Sequence, residues 1–183
     1  MIRIGPAGWS YKDWQGIVYP ASKPKGFQEL TYIAEFFDTV EINVTFYRPI
    51  PARTSESWLK KVEKNKRFKF TGKLWQGFTH DRNAGGEDER MFKDGYAPLL
   101  ESGRLGAILL QFPWSFRNTG DNRQYVARLQ QRFQDYPLVL SCSRCGMPAG
   151  TKSACSIGCR KWTLGSATSI SRYSISRSSL ARR

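Results

Sequence analysis

A chain of 183 residues with a 40% apolar and 14% aromatic share can bury one ordinary core, which excludes a disordered polymer and leaves one domain or a portion of a larger one. No apolar run approaches the ~20 residues that cross a bilayer, and the amino terminus lacks a secretory leader pattern, so no membrane partner is expected and the cytoplasm is the default compartment. The net charge of +14 points to nucleic acid or an anionic surface, but residues 141–183 hold eight Lys and Arg and no acid, leaving a body that is only moderately basic at +6.

In chain order, residues Ile2 to Gly5 read as a first short strand. GPAGWSYKDWQGIVYP follows, a loop with Trp9, Tyr11, Trp14 and Tyr19 within eleven residues. Such a density lines an apolar or sugar-stacking mouth, or plugs one end of the fold. Phe27, Leu30, Ile33, Ala34 and Phe37 recur at helical spacing, giving a first helix over Phe27 to Phe37. TVEINVTFYRPIP, from Thr39, opens as a strand with Val40, Ile42 and Val44 on one side and Thr39, Glu41, Asn43 and Thr45 on the other. Trp58, Leu59 and Val62 mark a second helix over Ser55 to Lys64. RFKFTGK, Arg67 to Lys73, alternates again, with Phe68 and Phe70 opposed to Lys69, Thr71 and Lys73. A loop holding His80 and the Gly85-Gly86 pair leads to a helix over Glu87 to Glu101 in which Pro98 marks a kink or break. GAILLQ, Gly106 to Gln111, reads as a buried strand closed by QFPWSF. Asp121 is a good cap for a helix in which Val126, Leu129 and Phe133 keep the period. Leu138 to Leu140 begin a fifth strand.

Strands alternating with helix-period segments give an α/β fold with a parallel sheet covered by helices. Four strand–helix units and the start of a fifth amount to about half of an eight-unit barrel, which needs roughly 250 residues. A small open doubly wound sheet is the competing architecture. The barrel is preferred because polar positions recur at the carboxyl ends of successive strands, at Glu41 and Asn43, Lys73, and Gln111. An open sheet would carry more continuous apolar strands.

The polar side of the central strand then faces an enclosed space, where a carboxylate needs a partner or a purpose. Glu41 is a candidate general acid or base, Lys73 a candidate for stabilising an anion or binding phosphate, and His80 a third candidate catalytic group. Asn43 and Gln111 could orient hydroxyls, with Trp9, Tyr11, Trp14 and Tyr47 as aromatic substrate contacts. The bland alternative is that Glu41 simply pairs with Lys73, Lys69 or Arg3, and that His80 sits at the surface beside Asp81 and Arg82. The body shows no Gly-rich phosphate loop, metal-ligand cluster or Ser nucleophile elbow, so no cofactor or metal is expected there. Two function classes remain: an enzyme on a polar, sugar- or phosphate-bearing small molecule, or a nucleic-acid binder using the basic excess and aromatic stacking.

The motifs GPAGWSYKDWQGIVYP, FDTVEINVTFYRPIP, FKFTGKLWQGFTH and LGAILLQFPWSF, in that order and spacing, resemble the YecE-like family, also called domain of unknown function 72, over residues 1 to about 140. The resemblance implies a TIM-barrel-like (β/α) fold, here incomplete at about four to five of eight units, and no established reaction. Pro6 and Ala7 stand where the family pattern has Thr and Ser. That pattern continues into a fifth strand reading like Glu-x-Arg-His with a Trp soon after, and no such segment is present.

In its place residues 141–183 form an irregular Ser-, Arg- and Cys-rich tail holding eleven of the seventeen serines and all four cysteines. Cys142, Cys145, Cys155 and Cys159 have a superficially zinc-like spacing, but the tail has few apolar residues to fold around a metal. A frameshift accounts for the same facts. With suitable third bases, the codons of Ser141 to Thr151 read out of frame as Leu-Leu-Glu-Val-Arg-His-Ala-Gly-Trp-Asp, which restores the family segment. On this reading the chain is a truncated, inactive product that exposes strand edges and self-associates. Sequencing the gene around codon 140 is expected to show Glu-x-Arg-His in the shifted frame; its absence there removes the frameshift.

Overall fold

The computed structural model describes residues 2–141; residues 142–183, with the four cysteines and every expectation attached to that tail, lie outside the described residues. The fold is α/β. Four parallel strands, β1 (Thr39–Ile42), β2 (Lys69–Lys73), β3 (Leu105–Gln111) and β4 (Leu138–Ser141), lie side by side in chain order. Six helices are described: α1 (Glu29–Phe36), α2 (Val44–Tyr47), α3 (Ala52–Lys61), α4 (Gln76–Thr79), α5 (Gly86–Glu101) and α6 (Gly120–Arg132). Among the described residues the sheet does not close, and no helix is long and apolar enough to cross a membrane.

Each strand turns its branched and aromatic residues toward the helices. Val40, Ile42, Phe70, Ile108 and Leu110 are buried together with Trp58 and Val62 from α3 and its exit and with Phe92, Tyr96 and Leu99 from α5. At ~25 cal/mol per Å² of apolar surface removed from water, this packing is the main term holding sheet and helices together. The opposite face alternates polar and apolar, with Glu41, Thr71, Lys73, Leu109, Gln111 and Val139 half-buried.

Several expectations needed correction. Ile2 to Gly5 do not form a strand: one isolated bridge, Ala7 to Glu41, joins the amino-terminal segment to β1, and Ile2 and Ile4 are 79% and 72% exposed. Two strong β formers are not enough without a second paired neighbour along the segment. The central strand ends at Ile42, not at Thr45, because Asn43 adopts helical angles (φ −90°, ψ −30°) and α2 begins at once. Val44 and Thr45 therefore leave the alternation expected of them. Pro98 does not end α5, which runs on to Glu101. The cap of α6 is Thr119, whose hydroxyl accepts from the Asn122 amide at 3.3 Å, and Asp121 lies in the first turn instead.

Gly72, in β2, owes its identity to a close approach: a Cβ there would stand 1.8 Å from the hydroxyl of fully buried Tyr96. Gly72→Ala is expected to destabilise by about 1–3 kcal/mol through overpacking, read as a lower urea midpoint. An unchanged midpoint would mean Tyr96 does not cross β2.

Glu89 in α5 binds Lys93 at 2.7 Å and the Arg132 guanidinium at 2.7 Å. Burial pushes its carboxyl up, but the hydrogen bonds from Lys93 and Arg132 outweigh this and hold it below its ordinary 4.5. Its folded-state pKa is depressed, so its contribution is full above pH ~4.5 and is lost as pH falls through the folded value. The stability gap between wild type and Glu89→Gln should therefore be full at pH 7 and narrow as pH falls below ~4.5 in paired urea titrations.

Candidate active site

The β1–β2 register sets Glu41 opposite Thr71, so Lys73 lies one pleat further on, diagonal to Glu41. The Lys73 ammonium stands 3.3 Å from Glu41 Oε1, with the two side chains 16% and 18% exposed. The alternative partners Arg3 and Lys69 bond elsewhere, to the carbonyls of Arg67 and Gly103.

Where β1 ends, Asn43 directs a buried Oδ1 that has no hydrogen-bond partner among the described residues. A buried acceptor left unmade costs about 1–3 kcal/mol, so it is a place for a donor. Thr45, expected beside Glu41, is instead fully buried: its hydroxyl donates to the Lys73 carbonyl at 3.0 Å and accepts from Tyr96 at 2.8 Å. That bond ties the end of β2 to α2 and α5. Burial pushes the Tyr96 phenol well above its ordinary range, opposed by the bond to Thr45, so it acts as a neutral donor.

His80 caps α4 and is half-buried, with Nδ1 3.0 Å from Thr79 Oγ1. The Phe46 ring meets the His80 ring edge-on at 5.0 Å and has the Lys73 ammonium over it at 6.0 Å, so it touches both. Glu41, Asn43, Lys73 and His80 are thus gathered at the carboxyl ends of β1 and β2, where Glu41 and Lys73 form an ion pair. Gln111 ends β3 on the same inward face.

The aromatic loop packs largely on itself. Trp9 meets Trp58 of α3 edge-on at 5.4 Å, Tyr11 lies 4.9 Å from Trp14, and Trp14 lies 5.7 Å from Tyr19. Tyr11 and Tyr19 donate their hydroxyls to the carbonyls of Ala7 and Trp9. Burial, then the nearby Glu29, pushes the Tyr19 phenol up to about 12. The loop nevertheless starts beside the ion pair, because the Gly8 amide donates to the Glu41 carbonyl at 2.8 Å. Tyr47 is 67% exposed, edge-on to Phe46 at 5.2 Å.

Phe46 and Tyr96 escaped the sequence reading. Tyr96 had one signal, the glycine at position 72 in a strand otherwise built of larger residues. Among the described residues no group of three His, Cys, Asp or Glu could hold a metal.

A parallel α/β sheet carrying a carboxylate–ammonium pair at the carboxyl ends of its first two strands is the class of protein these features define. The chain belongs to the family described as protein of unknown function DUF72, matched over residues 3–142, in line with the resemblance its four motifs carry. It is 33% identical to the UPF0759 protein YunF of Bacillus subtilis over 146 residues, covering 76% of this chain and 50% of that protein. A solved DUF72 family protein of Thermotoga maritima superposes with a TM-score of 0.64 at 31% identity, covering 78% of this chain and 55% of that one. One from Enterococcus faecalis gives 0.62 at 26%, covering 78% and 50%. The chain spans about half the length of the relatives it matches.

Proposed function

We propose that the carboxyl-end face of the sheet binds and transforms a polar, sugar- or phosphate-bearing small molecule by acid–base chemistry, as part of a (β/α) barrel of which this chain carries about four to five of eight units. The barrel reading is supported by the parallel order β1 to β4 and by relatives about twice as long, since eight units need roughly 250 residues. The observation that carries the site is the Glu41–Lys73 pair at 3.3 Å, half withdrawn from water beside the unpartnered Asn43 Oδ1.

The chemistry follows from charge. The Glu41 carboxylate takes a proton from a substrate hydroxyl, or from a carbon beside a carbonyl, and the electron pair stays on the substrate as an alkoxide or enolate. The Lys73 ammonium, already in place, stabilises that oxyanion without reorganising. Asn43, at the end of β1, and Gln111, at the end of β3, are placed to orient substrate hydroxyls. His80, edge-on to Phe46, is a further proton carrier at this face. Trp9, Tyr11, Trp14 and Tyr47 supply apolar faces on which a sugar ring stacks.

A panel of pentoses, hexoses, their phosphates and inorganic phosphate, screened by thermal shift and calorimetry, tests this. One class should raise the melting midpoint of the wild type, and the effect should vanish in Glu41→Gln and Lys73→Met. Glu41→Gln leaves a half-buried ammonium unpaired and should cost about 1–3 kcal/mol of stability. The double variant should recover most of that loss yet still not bind, which separates lost recognition from unfolding. A panel without any millimolar binder, or binding that survives in both single variants, overturns the reading.

A further inference from the structure

Lys73 is the last residue of β2, and the acid–base reading asks of it only its charge. Its surroundings allow more. Among the described residues three lysines form ion pairs; the side chains of Lys23 and Lys93 are 31% and 30% exposed, whereas that of Lys73 is 16% exposed. Lys93 also donates to the Arg132 carbonyl at 2.7 Å. The Lys73 ammonium meets one polar group among the described residues, Glu41 Oε1 at 3.3 Å, and one ring, that of Phe46 at 6.0 Å. Its register partner on β3 is Leu109, half-buried on the same face. An ammonium with three protons to give is thus set between a single carboxylate, an aliphatic side chain and a phenyl ring.

Lysine differs from arginine in one chemical respect that matters here: it can lose its proton and become a nucleophile. An ammonium has no lone pair, so the nitrogen bonds to carbon only after a base takes a proton from it. Glu41 Oε1 is close enough to be that base. The chain on either side is held still, because the Thr45 hydroxyl donates to the Lys73 carbonyl at 3.0 Å and the Leu74 amide donates to the Leu109 carbonyl at 2.9 Å. A nucleophile and its base are thereby fixed on adjacent strands of one sheet.

We infer that Lys73 forms an imine with the carbonyl carbon of a short aldehyde or ketone, such as the open-chain form of a sugar or of its phosphate, with Glu41 carrying the protons. The inference rests on the acid–base reading of the same site and narrows its substrate to a compound with a reactive carbonyl. Glu41 takes a proton from the ammonium, the nitrogen lone pair forms the C–N bond, and the carbonyl π pair moves to oxygen, which receives that proton. Glu41 then takes a second proton from nitrogen and passes it to the new hydroxyl. Water leaves as the nitrogen lone pair completes the C=N bond, giving a protonated imine and returning Glu41 to its carboxylate. The cation that the acid–base reading places here is retained, now bonded to the substrate. When Glu41 removes a proton from the neighbouring carbon, the C–H pair becomes the C=C bond of an enamine and the C=N pair returns to nitrogen. A carbonyl is the electrophile this pair can serve unaided, since the step requires no activated leaving group and releases only water. Leu109 and Phe46 line the nitrogen with apolar surface, which opposes hydrolysis of the imine.

The test is reductive trapping. The full chain is incubated at neutral pH with sodium cyanoborohydride and, in separate reactions, glycolaldehyde, dihydroxyacetone phosphate and pyruvate, then digested and mapped by mass spectrometry. With at least one of these, Lys73 should gain the reduced adduct about tenfold faster than exposed Lys12, Lys25 and Lys64. Exposure alone predicts the reverse order, because Lys73 is the least accessible of the four. Glu41→Gln should slow the Lys73 adduct about tenfold and leave the three exposed lysines unchanged. A carboxylate that merely pairs with Lys73 would give no change or a faster adduct, since an opposite charge holds the proton on the amine. The order of labelling is read on the wild type, so it decides the matter even if Glu41→Gln fails to fold. Lys73 unlabelled or slower than the exposed lysines, or labelled no more slowly in a folded Glu41→Gln, overturns the imine. A sugar or phosphate that raises the melting midpoint of the wild type and of Lys73→Arg, loses its effect in Glu41→Gln and leaves no adduct on Lys73 also overturns it, while the acid–base reading stands.

Discussion

A buried chain of hydroxyls sets the geometry of the whole carboxyl end of the sheet. The Tyr96 phenol, carried in by α5, donates to Thr45, and Thr45 donates to the Lys73 carbonyl. Both side chains are fully buried, so each bond replaces one that water would otherwise make, and breaking either strands a polar group at a cost of about 1–3 kcal/mol. Three elements distant in sequence are thereby held at one point. The phenol fits only because residue 72 has no side chain. With Thr45 drawn inward, β1 must stop at Ile42 and the chain must turn at Asn43. The carbonyl that Thr45 satisfies belongs to the residue whose ammonium meets Glu41, so the same bond fixes both the end of the strand and the position of the cation.

The two faces of the sheet obey different rules as a result. Toward the helices, β1, β2 and β3 contribute side chains with essentially no exposure, and Phe70 packs against Trp58 and Phe68 at 6.2 and 5.2 Å. Away from the helices, charged and amide side chains share the surface with Leu109 and Val139. A half-buried ion pair is a weak stabiliser, since apolar residues of the same volume commonly do as well. Packing therefore gives no reason for Glu41 and Lys73 to sit where they do. An acceptor left empty beside them, at Asn43, points the same way.

The sheet was legible because strand and helix periods are strong signals where burial is one-sided. The alternation at Thr39 to Ile42 and at Arg67 to Lys73 came from Val, Ile and Phe that are in fact buried, and the polar partners of that alternation included both members of the ion pair. What was not legible depended on neighbours far along the chain. Ile2 and Ile4 have strand propensity, but propensity yields no ladder without a partner over several residues. Val44 and Thr45 continued the pattern on paper and left it in fact, because a tyrosine fifty-one residues later claims the Thr45 hydroxyl. Phe46, which contacts both His80 and Lys73, carries no pattern that would separate it from a core phenylalanine.

The two ends of the sheet differ in charge as well as in chemistry. At the carboxyl ends, Glu41 and Lys73 neutralise one another; at the amino ends, Lys61, Lys64, Lys66 and Arg67 share a shallow groove with the single carboxylate Glu35. β2 links these ends, from Lys69 to Lys73. At about 3.3 Å per residue that strand spans roughly 13 Å between its terminal Cα atoms. Electrostatic influence through solvent decays over ~8 Å at physiological ionic strength, so these cations act only weakly through water on the Glu41–Lys73 pair. β2 joins the two ends physically, its amino end gripped by Arg104 at the Phe68 carbonyl and its carboxyl end by Thr45 at the Lys73 carbonyl. A strand fixed at both ends and packed on a dense, poorly compressible core is held firmly in place. The fold therefore presents two chemically distinct surfaces on one rigid support.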